Sequence, residues 1–175
     1  GRTQSSITVQ PLLRVLQSDK NSEIRMSAAV ALGEIGDVSA IDFLLEVLRR
    51  QPKNEEDFLR RAAARSIGQI AQIQQVNSNY VVTPESFLPE NYKVFVNLKY
   101  ANLAEKHQPF RQSIPVLLFV LQNPKESDDV RREAAFALGS IGDKSVIPIL
   151  QSNLNAKDYY LVEICKEALT KLNNN

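Results

Sequence analysis

Arginine and aspartate recur at equivalent places along this sequence, and paired charges of this kind are able to hold an anion or transfer a proton. The arginines are Arg25, Arg60 and Arg131, and the aspartates are Asp37 and Asp143. A catalytic centre is singular, whereas these charges return with each repeated segment. Periodic charge instead predicts hydrogen bonds between neighbouring segments and at helix ends, where backbone groups lack intrahelical partners. We therefore interpret these five residues as a structural ladder.

Few other residues are suited to bind a metal or attack a substrate. The chain has one histidine, His107, and one cysteine, Cys165. A lone cysteine excludes a disulfide framework and a multi-cysteine zinc site within this chain. We interpret His107, which stands just before Pro109, as a solvated turn residue, and Cys165 as a small core residue. Phosphate-loop, dinucleotide-binding, serine-hydrolase and zinc-protease motifs are absent from the sequence, so we name no catalytic residue and no metal site.

Composition and charge exclude several classes of protein. The chain has 175 residues, with 21 Lys and Arg against 20 Asp and Glu. This balance offers no bulk charge to recruit nucleic acid, and no apolar run reaches the roughly 18 residues that cross a bilayer. We expect one domain over residues 1–175 without a membrane span. The charge balance argues against a nucleic-acid partner, although a local patch of arginines keeps nucleic-acid binding as an alternative. The single cysteine favours a cytoplasmic setting, and the start at Gly1 suggests a piece of a larger parent chain.

The strongest feature of the sequence is its repetition. One segment type, rich in alanine, occurs at 24–37, 59–70, 130–143 and, in degenerate form, 161–172. A second, rich in leucine, alternates with it at 12–17, 44–49, 117–122 and, more faintly, 149–154. A period of about 31 to 35 residues built from two helical segments is typical of a solenoid of helix pairs. We place the pairs at about 6–37, 38–72, 113–143 and 144–172.

Residue spacing supports the helical interpretation. Ile24, Ala28, Leu32 and Ile35 fall on one stripe of a helix with 3.6 residues per turn, so we expect them to face the partner helix. Small Ala and Gly residues on the adjacent face predict close contact with the neighbouring repeat. The expected helix caps and starts are Ser22 and Asp128 or Asp129 at N-termini, Gly36 and Gly142 at C-termini, and Pro11, Pro115 and Pro148 in first turns.

The alanine-rich segment carries a recognisable pattern. It reads (Val/Ile)-Arg-x-x-Ala-Ala-x-Ala-Leu-Gly-x-Ile-Gly-Asp at 24–37 and again at 130–143. This pattern resembles the short HEAT-like repeat of the phycobilisome lyase type. The resemblance implies an all-α, armadillo-like, right-handed α-solenoid of about four HEAT-like helix pairs, with an insertion between the second and third. The last copy departs from the pattern, with Val162 and Thr170 where arginine and glycine are expected.

One face of the alanine-rich helices varies from repeat to repeat. A helical wheel directs this face away from the core, toward the concave side of a solenoid. The mixture of apolar and basic residue types there is favoured in binding surfaces, and we predict a concave groove of mixed apolar and basic character. The alternative is that the insertion folds over these side chains and hides them. The six positions are Met26, Val30, Arg61, Arg65, Arg132 and Phe136.

An insertion of about 40 residues, 73–112, interrupts the period. Its polar start, Gln74–Asn79, suggests a mobile segment, and a helix from Pro89 through Lys106 is favoured over a strand. Aromatic residues are enriched in it, either to pack on the solenoid or to form a recognition surface. The candidate surface residues are Tyr80, Phe87, Tyr92 and Tyr100.

Two classes of function are consistent with these features. The first is a non-catalytic interaction or scaffold module that binds another protein or a peptide through the concave face and the insertion, without a cofactor. The second comes from the resemblance and is a bilin lyase subunit or a phycobilisome assembly or turnover factor. In it the groove arginines would pair with the propionates of a bound bilin. We expect a non-enzyme more than an enzyme.

Overall fold

A computed structural model gives the architecture of residues 2–79 and 100–173, with side chains described for 8–77 and 100–173. Short 3₁₀ helices at Val38–Ala40, Asn54–Glu56 and Lys144–Val146 lead into longer helices, and another at Asn153–Asn155 ends one. The α-helices of the described residues are α1 Arg2–Ser18, α2 Ser22–Ile35, α3 Ile41–Arg49, α4 Asp57–Asn79, α5 Leu103–Lys106, α6 Gln108–Gln122, α7 Asp128–Ile141, α8 Ile147–Ser152 and α9 Tyr159–Asn173.

These helices form a right-handed α-solenoid, which confirms the predicted fold. The pairs are α1 with α2, α3 with α4, α6 with α7, and α8 with α9. The second helices pack in one row, α2 on α4, α4 on α7 and α7 on α9, while α3 packs on α6. The short helix α5 packs against α6. The row of second helices positions the side chains that concern function.

Small residues allow the second helices to approach closely. A Cβ atom added at Gly33 would lie 2.6 Å from Ser66 Oγ of the next second helix, and one added at Gly139 would lie 2.5 Å from Ala168 Cβ. The Ser66 hydroxyl also donates a hydrogen bond of 2.8 Å to the backbone oxygen of Ala29. The small residues therefore lie at the contacts between second helices, as their spacing in the sequence predicted.

Several local expectations need correction. The N-cap of α2 is Asn21, one residue before Ser22, and that of α7 is Ser127, before Asp128, because their side-chain oxygens accept first-turn N–H bonds. Pro11 and Pro115 lie inside α1 and α6, since both helices begin earlier than the repeat suggested. Ile24 is 46% exposed, in the first turn of α2, where the partner helix does not reach it.

The insertion is also bounded differently from the prediction. Helix α4 continues through residues 73–79 and α6 begins at Gln108, so both predicted ends of the insertion are helical. Residues 74–79 are thus an extension of α4 and not a mobile segment. Residues 100–102 are not helical, so no continuous helix reaches Lys106. The side-chain amide of Gln75 holds this segment against the end of α4. Its oxygen accepts the N–H of Ala101 at 2.9 Å, and its nitrogen donates to the backbone oxygens of Ala101 and Ser140 at 2.7 and 3.1 Å.

The core runs the length of the solenoid as one row of apolar contacts. It includes Cys165, which is fully buried as expected. Burial raises the pKa of this thiol to about 11, so at neutral pH it carries a proton and packs as a small apolar residue. In the described part of the chain, no helix combines the length and apolarity needed to span a membrane.

Candidate functional site

The three ladder arginines lie at equivalent positions, and each links elements of the stack. Arg25 Nη2 donates to Glu56 Oε1 at 2.7 Å, across the first interface between second helices. Arg131 Nε donates to the backbone oxygen of Leu121 at 2.9 Å, at the end of α6. The ladder residue of the middle interface, Arg60, is the most buried of the three.

Arg60 and Glu126 form a buried ion pair between the second and third helix pairs. Their side chains are 1% and 0% exposed. Arg60 Nε donates to Glu126 Oε2 at 3.0 Å, and Nη2 donates to Glu126 Oε1. The remaining donors bond the backbone oxygens at the end of α3, which are Val47, Leu48 and Arg50 at 2.8, 3.1 and 2.8 Å. This charge is satisfied on every side, as a buried guanidinium requires.

Asp37 and Asp143 cap the 3₁₀ helices that follow α2 and α7. Asp37 accepts the N–H of Ser39 at 2.9 Å, and Asp143 accepts that of Ser145 at 2.8 Å. Burial raises the pKa of Asp143, but hydrogen bonds from Ser145 and Asn102 outweigh it and hold the pKa below its ordinary value. Both aspartates therefore act as helix caps, a local role at each turn.

The predicted groove lies on the exposed side of the row of second helices, but its charge differs from the expectation. Acidic residues of the next repeat accompany each of its arginines. Arg61 Nη1 lies 3.2 Å from Asp129 Oδ2, and Arg65 Nη1 lies 3.2 Å from Glu133 Oε1. The surface is therefore charge-balanced and not basic, because α7 supplies carboxylates that a helical wheel of α4 alone does not show.

The apolar members of the predicted face are spread along it. Val30 is 37% exposed on α2, and Met26 is partly buried against the core. Phe136 covers Gly68 on α4, where an added Cβ would overlap its ring. Lys171 Nζ stands 5.8 Å from the centroid of the same ring. Of these three, Phe136 lines a pocket together with a groove arginine, Arg65.

A pocket opens where α4, α7 and α9 meet, and we name it the α4–α7–α9 groove. Its volume is about 210 Å³, below the 300–1,000 Å³ usual for small-molecule sites, so it suits one extended side chain. Apolar side chains form its floor and two ion pairs, Arg65–Glu133 and Glu167–Lys171, stand at its rim. The lining residues are Arg65, Glu133, Phe136, Ile164, Glu167, Ala168 and Lys171.

Arg132 lies beside this groove in a saturated set of contacts. Its Nε and Nη2 donate to the two carboxylate oxygens of Asp158 at 2.8 and 2.9 Å, and its Nη1 donates to Asp129 at 2.7 Å. The Tyr160 ring lies 5.0 Å from the guanidinium carbon. The Arg132 hydrogen bonds hold the pKa of Asp158 below its ordinary value of 3.8.

The Asp158 carboxylate should make stability depend on pH. Asp158→Asn is expected to lower the free energy of unfolding by about 1–2 kcal/mol near pH 7, since a charge-assisted pair is lost. A pKa that is lower in the folded protein adds stability above the ordinary pKa of 3.8. That stability is lost as pH falls through the folded value. Urea unfolding of both proteins between about pH 7 and pH 2 measures this.

The control for this prediction is Glu46→Gln, which alters an exposed carboxylate without an ion pair among the described residues. Its unfolding free energy should stay within about 0.5 kcal/mol of the parent protein. A stability difference between Asp158→Asn and the parent that stays constant down to about pH 2 would contradict the prediction.

The remaining candidate residues are placed as follows. His107 is the N-cap residue of α6 and is partly buried, with its ring 6.0 Å from that of Phe110 in an edge-on contact. It is therefore less solvated than expected, because the Phe110 ring packs beside it. Tyr100 is partly buried next to the Gln75 contact with Ala101. Tyr80, Phe87 and Tyr92 lie outside the described residues.

Three important side chains were missed by sequence reasoning. Glu126 precedes α7 in a loop, Gln75 lies in a stretch that looks like a polar linker, and Asp158 precedes the degenerate last copy. A faint signal exists for Glu126, since Glu56 holds a similar place before α4. No signal in the sequence pairs Gln75 with Ala101, because both lie within the predicted insertion, which does not repeat, 26 positions apart.

The family model for HEAT repeats matches residues 1–68 and 101–173 of this chain. The chain belongs to the HEAT-repeat family. The match covers most of the sequence and agrees with the helix pairs of the structure. The finer resemblance, to the phycobilisome lyase type of repeat, has no support among the similar proteins.

Similar curated proteins are deoxyhypusine hydroxylases. The Bos taurus protein is 40% identical over 62 residues, 35% of this chain and 20% of its own length. The Gallus gallus and Homo sapiens proteins are 39% and 38% identical over 62 and 61 residues. This chain thus spans about a fifth of the length of the curated relatives it matches.

Two solved structures are similar at low scores. Human deoxyhypusine hydroxylase in complex with glycerol aligns with a TM-score of 0.36 and 16% identity, over 95% of this chain and 85% of that chain. An engineered protein aligns with a TM-score of 0.38 and 20% identity, over 94% and 79%. At these scores the two alignments support no argument about function.

The relatives overturn the functional expectation. We expected a non-catalytic interaction module, with a bilin-handling factor as the alternative, whereas the similar curated proteins are hydroxylases. The expectation was wrong because the repeat pattern encodes helix packing, and the same packing occurs in enzymes.

The described residues do not fit a metal centre for such a reaction. Hydroxylation requires activated oxygen, which proteins obtain from a redox metal or an organic cofactor. Within the described ranges, no group of three or more His, Cys, Asp and Glu side chains is placed to hold a metal ion. What the described side chains can supply is the binding and orientation of a ligand.

Proposed function

We propose that this chain is the substrate-binding HEAT-repeat part of an enzyme related to deoxyhypusine hydroxylase. The observation that supports the proposal is the 40% identity to the Bos taurus hydroxylase over 62 residues. In this role the chain binds and orients a side chain of the substrate. A rigid stack of helices suits this role, because it loses little conformational entropy when a ligand binds. The α4–α7–α9 groove is the part of the described structure best suited to this role.

The groove matches an aliphatic side chain that bears an amine. Deoxyhypusine is an amino acid of this kind, and the floor of Phe136, Ile164 and Ala168 offers apolar contact along its length. Glu167 at the rim is 68% exposed and pairs with Lys171 of its own helix at 2.9 Å. Pairs at i,i+4 on a helix contribute about 0.3–0.5 kcal/mol. Because the Glu167 side chain is exposed, a ligand amine can compete with Lys171 for its carboxylate.

The test compares two peptides that differ at one residue. A blocked peptide with deoxyhypusine and the same peptide with lysine are titrated into the protein by calorimetry. We expect the deoxyhypusine peptide to bind about tenfold more tightly, because its longer side chain buries more apolar surface in the groove. Equal affinities, or no binding of either peptide, would refute the proposal.

A matched pair of variants locates the site. Glu167→Gln should weaken the deoxyhypusine peptide several-fold, as it removes the exposed rim carboxylate. Glu163→Gln is the control, because Glu163 lies on the same helix and pairs with Lys166 but does not line the groove. Equal losses from both variants would show binding by general charge and would argue against this groove.

A further inference from the structure

The ladder of ion pairs is incomplete at its last interface. Arg25 and Arg60 each bond a glutamate that precedes the next second helix, Glu56 and Glu126 respectively. Before α9, the corresponding positions hold Lys157 and Asp158. Asp158 bonds Arg132, so Arg131 has no glutamate from the next repeat.

Arg131 is accordingly less satisfied than Arg60, and unlike Arg25 it has no carboxylate partner from the next repeat. Its Nε bonds the backbone oxygen of Leu121, and its Nη1 lies 3.6 Å from Asp128 Oδ1 on its own helix. The Asp128 side chain is 62% exposed, so this contact is weak. In the described part of the chain, Arg131 Nη2 makes no hydrogen bond and Lys157 makes no ion pair.

A crevice lies at this point, and we name it the α7–α9 crevice. It has a volume of about 630 Å³ and is lined by Asp128, Arg131, Arg132 and residues 156–160. Its three cations exceed its two carboxylates by one, since Arg131, Arg132 and Lys157 face Asp128 and Asp158. An anion therefore gains more than a cation from entering it.

Two exposed aromatic rings flank the crevice. Tyr159 and Tyr160 are 68% and 66% exposed, and their rings contact each other edge to face at 5.9 Å. Exposed neighbouring tyrosines offer apolar contact and a phenol hydrogen bond to a ligand. Together with the basic side chains, these rings favour a ligand that carries a negative charge on a carbon chain.

We propose that the α7–α9 crevice is a carboxylate-binding site, in which a ligand carboxylate occupies the place that Glu56 and Glu126 occupy in the earlier interfaces. Arg131 and Lys157 bind the charge, and the two tyrosines contact the carbon chain. Arg132 stays with Asp158, which already uses two of its donors. The carboxylate comes either from a small dicarboxylate or from an acidic side chain of a polypeptide. The site is separate from the α4–α7–α9 groove and does not depend on its function.

The experiment uses three probes in NMR titrations of the protein: glutarate, a blocked tripeptide with a central glutamate, and inorganic phosphate. Saturable shifts of Arg131 and Tyr160 signals with glutarate or with the tripeptide support the site, and the probe that binds more tightly identifies the source. No saturable shift with either carboxylate, or binding of phosphate alone, would overturn the proposal.

Lys157→Glu gives a second, independent readout. The new carboxylate restores the pattern of the earlier interfaces, so glutarate binding should fall at least about tenfold while the melting temperature rises by roughly 2–4 °C. Lys20→Glu is the control, since Lys20 is exposed in the loop between α1 and α2. Binding by Lys157→Glu that equals the parent, or an equal loss in Lys20→Glu, would overturn the proposal.

Discussion

Glu126→Gln is expected to lower the free energy of unfolding by about 3–5 kcal/mol, because it leaves the Arg60 charge buried without an anion. Both side chains are inaccessible to water, at 1% and 0% exposure. The substitution keeps the size of the side chain, so the loss reports the charge and not a cavity. For a chain of this length the melting temperature should fall by roughly 10 °C.

Two further variants make this result specific. Glu55→Gln changes an exposed neighbour of Glu56 and should shift the unfolding free energy by less than about 0.5 kcal/mol. Replacing Arg60 with Met together with Glu126→Leu removes both charges, and should recover part of the loss. The recovery is partial because the oxygens of Val47, Leu48 and Arg50 lose their donor. A loss below about 1 kcal/mol for Glu126→Gln would contradict the account of this interface.

Gly142→Ala should cost about 3 kcal/mol, from two sources. Gly142 has a φ of 83°, where a side chain costs about 1–2 kcal/mol. A Cβ atom there would also overlap the backbone oxygen of Ala101, which Gln75 holds in place. Forced displacement of a packed group adds about 1–3 kcal/mol.

Gly36→Ala is the matched control, because Gly36 ends α2 with a φ of 75°. Its added Cβ would meet the Ile73 side chain at 2.6 Å, and a flexible side chain is able to move. This variant should lose about 1–2 kcal/mol, which is the backbone cost alone. Urea denaturation of both variants gives the comparison, and equal losses would show that the return of the chain at Ala101 is not fixed against Gly142.

The helix pairs and their contacts were largely readable from the sequence. Glycine recurs at Gly33 and Gly139 because neighbouring second helices leave no room for larger side chains there. Gly36 and Gly142 end helices at positive φ, as their positions predicted. Such features repeat with the period of the fold, so a single sequence shows them several times.

The contacts between repeats were not readable in the same way. Glu126 lies 66 positions from Arg60, beyond the insertion, and its loop differs from the one that holds Glu56. The charge of the groove was mistaken because a wheel describes one helix, whereas Glu133 and Asp158 come from the next repeat. Gln75 looked like part of a linker because its partners, Ala101 and Ser140, lie far along the chain.

The most direct test of the proposed function is to observe the α4–α7–α9 groove while the deoxyhypusine peptide is added. Ile164 and Ala168 line the groove and carry methyl groups suited to NMR. The account predicts saturable shifts of these two methyl signals, with the deoxyhypusine peptide saturating them at about a tenth of the concentration needed for the lysine peptide. Unchanged methyl signals at concentrations where the peptide is shown to bind would contradict it.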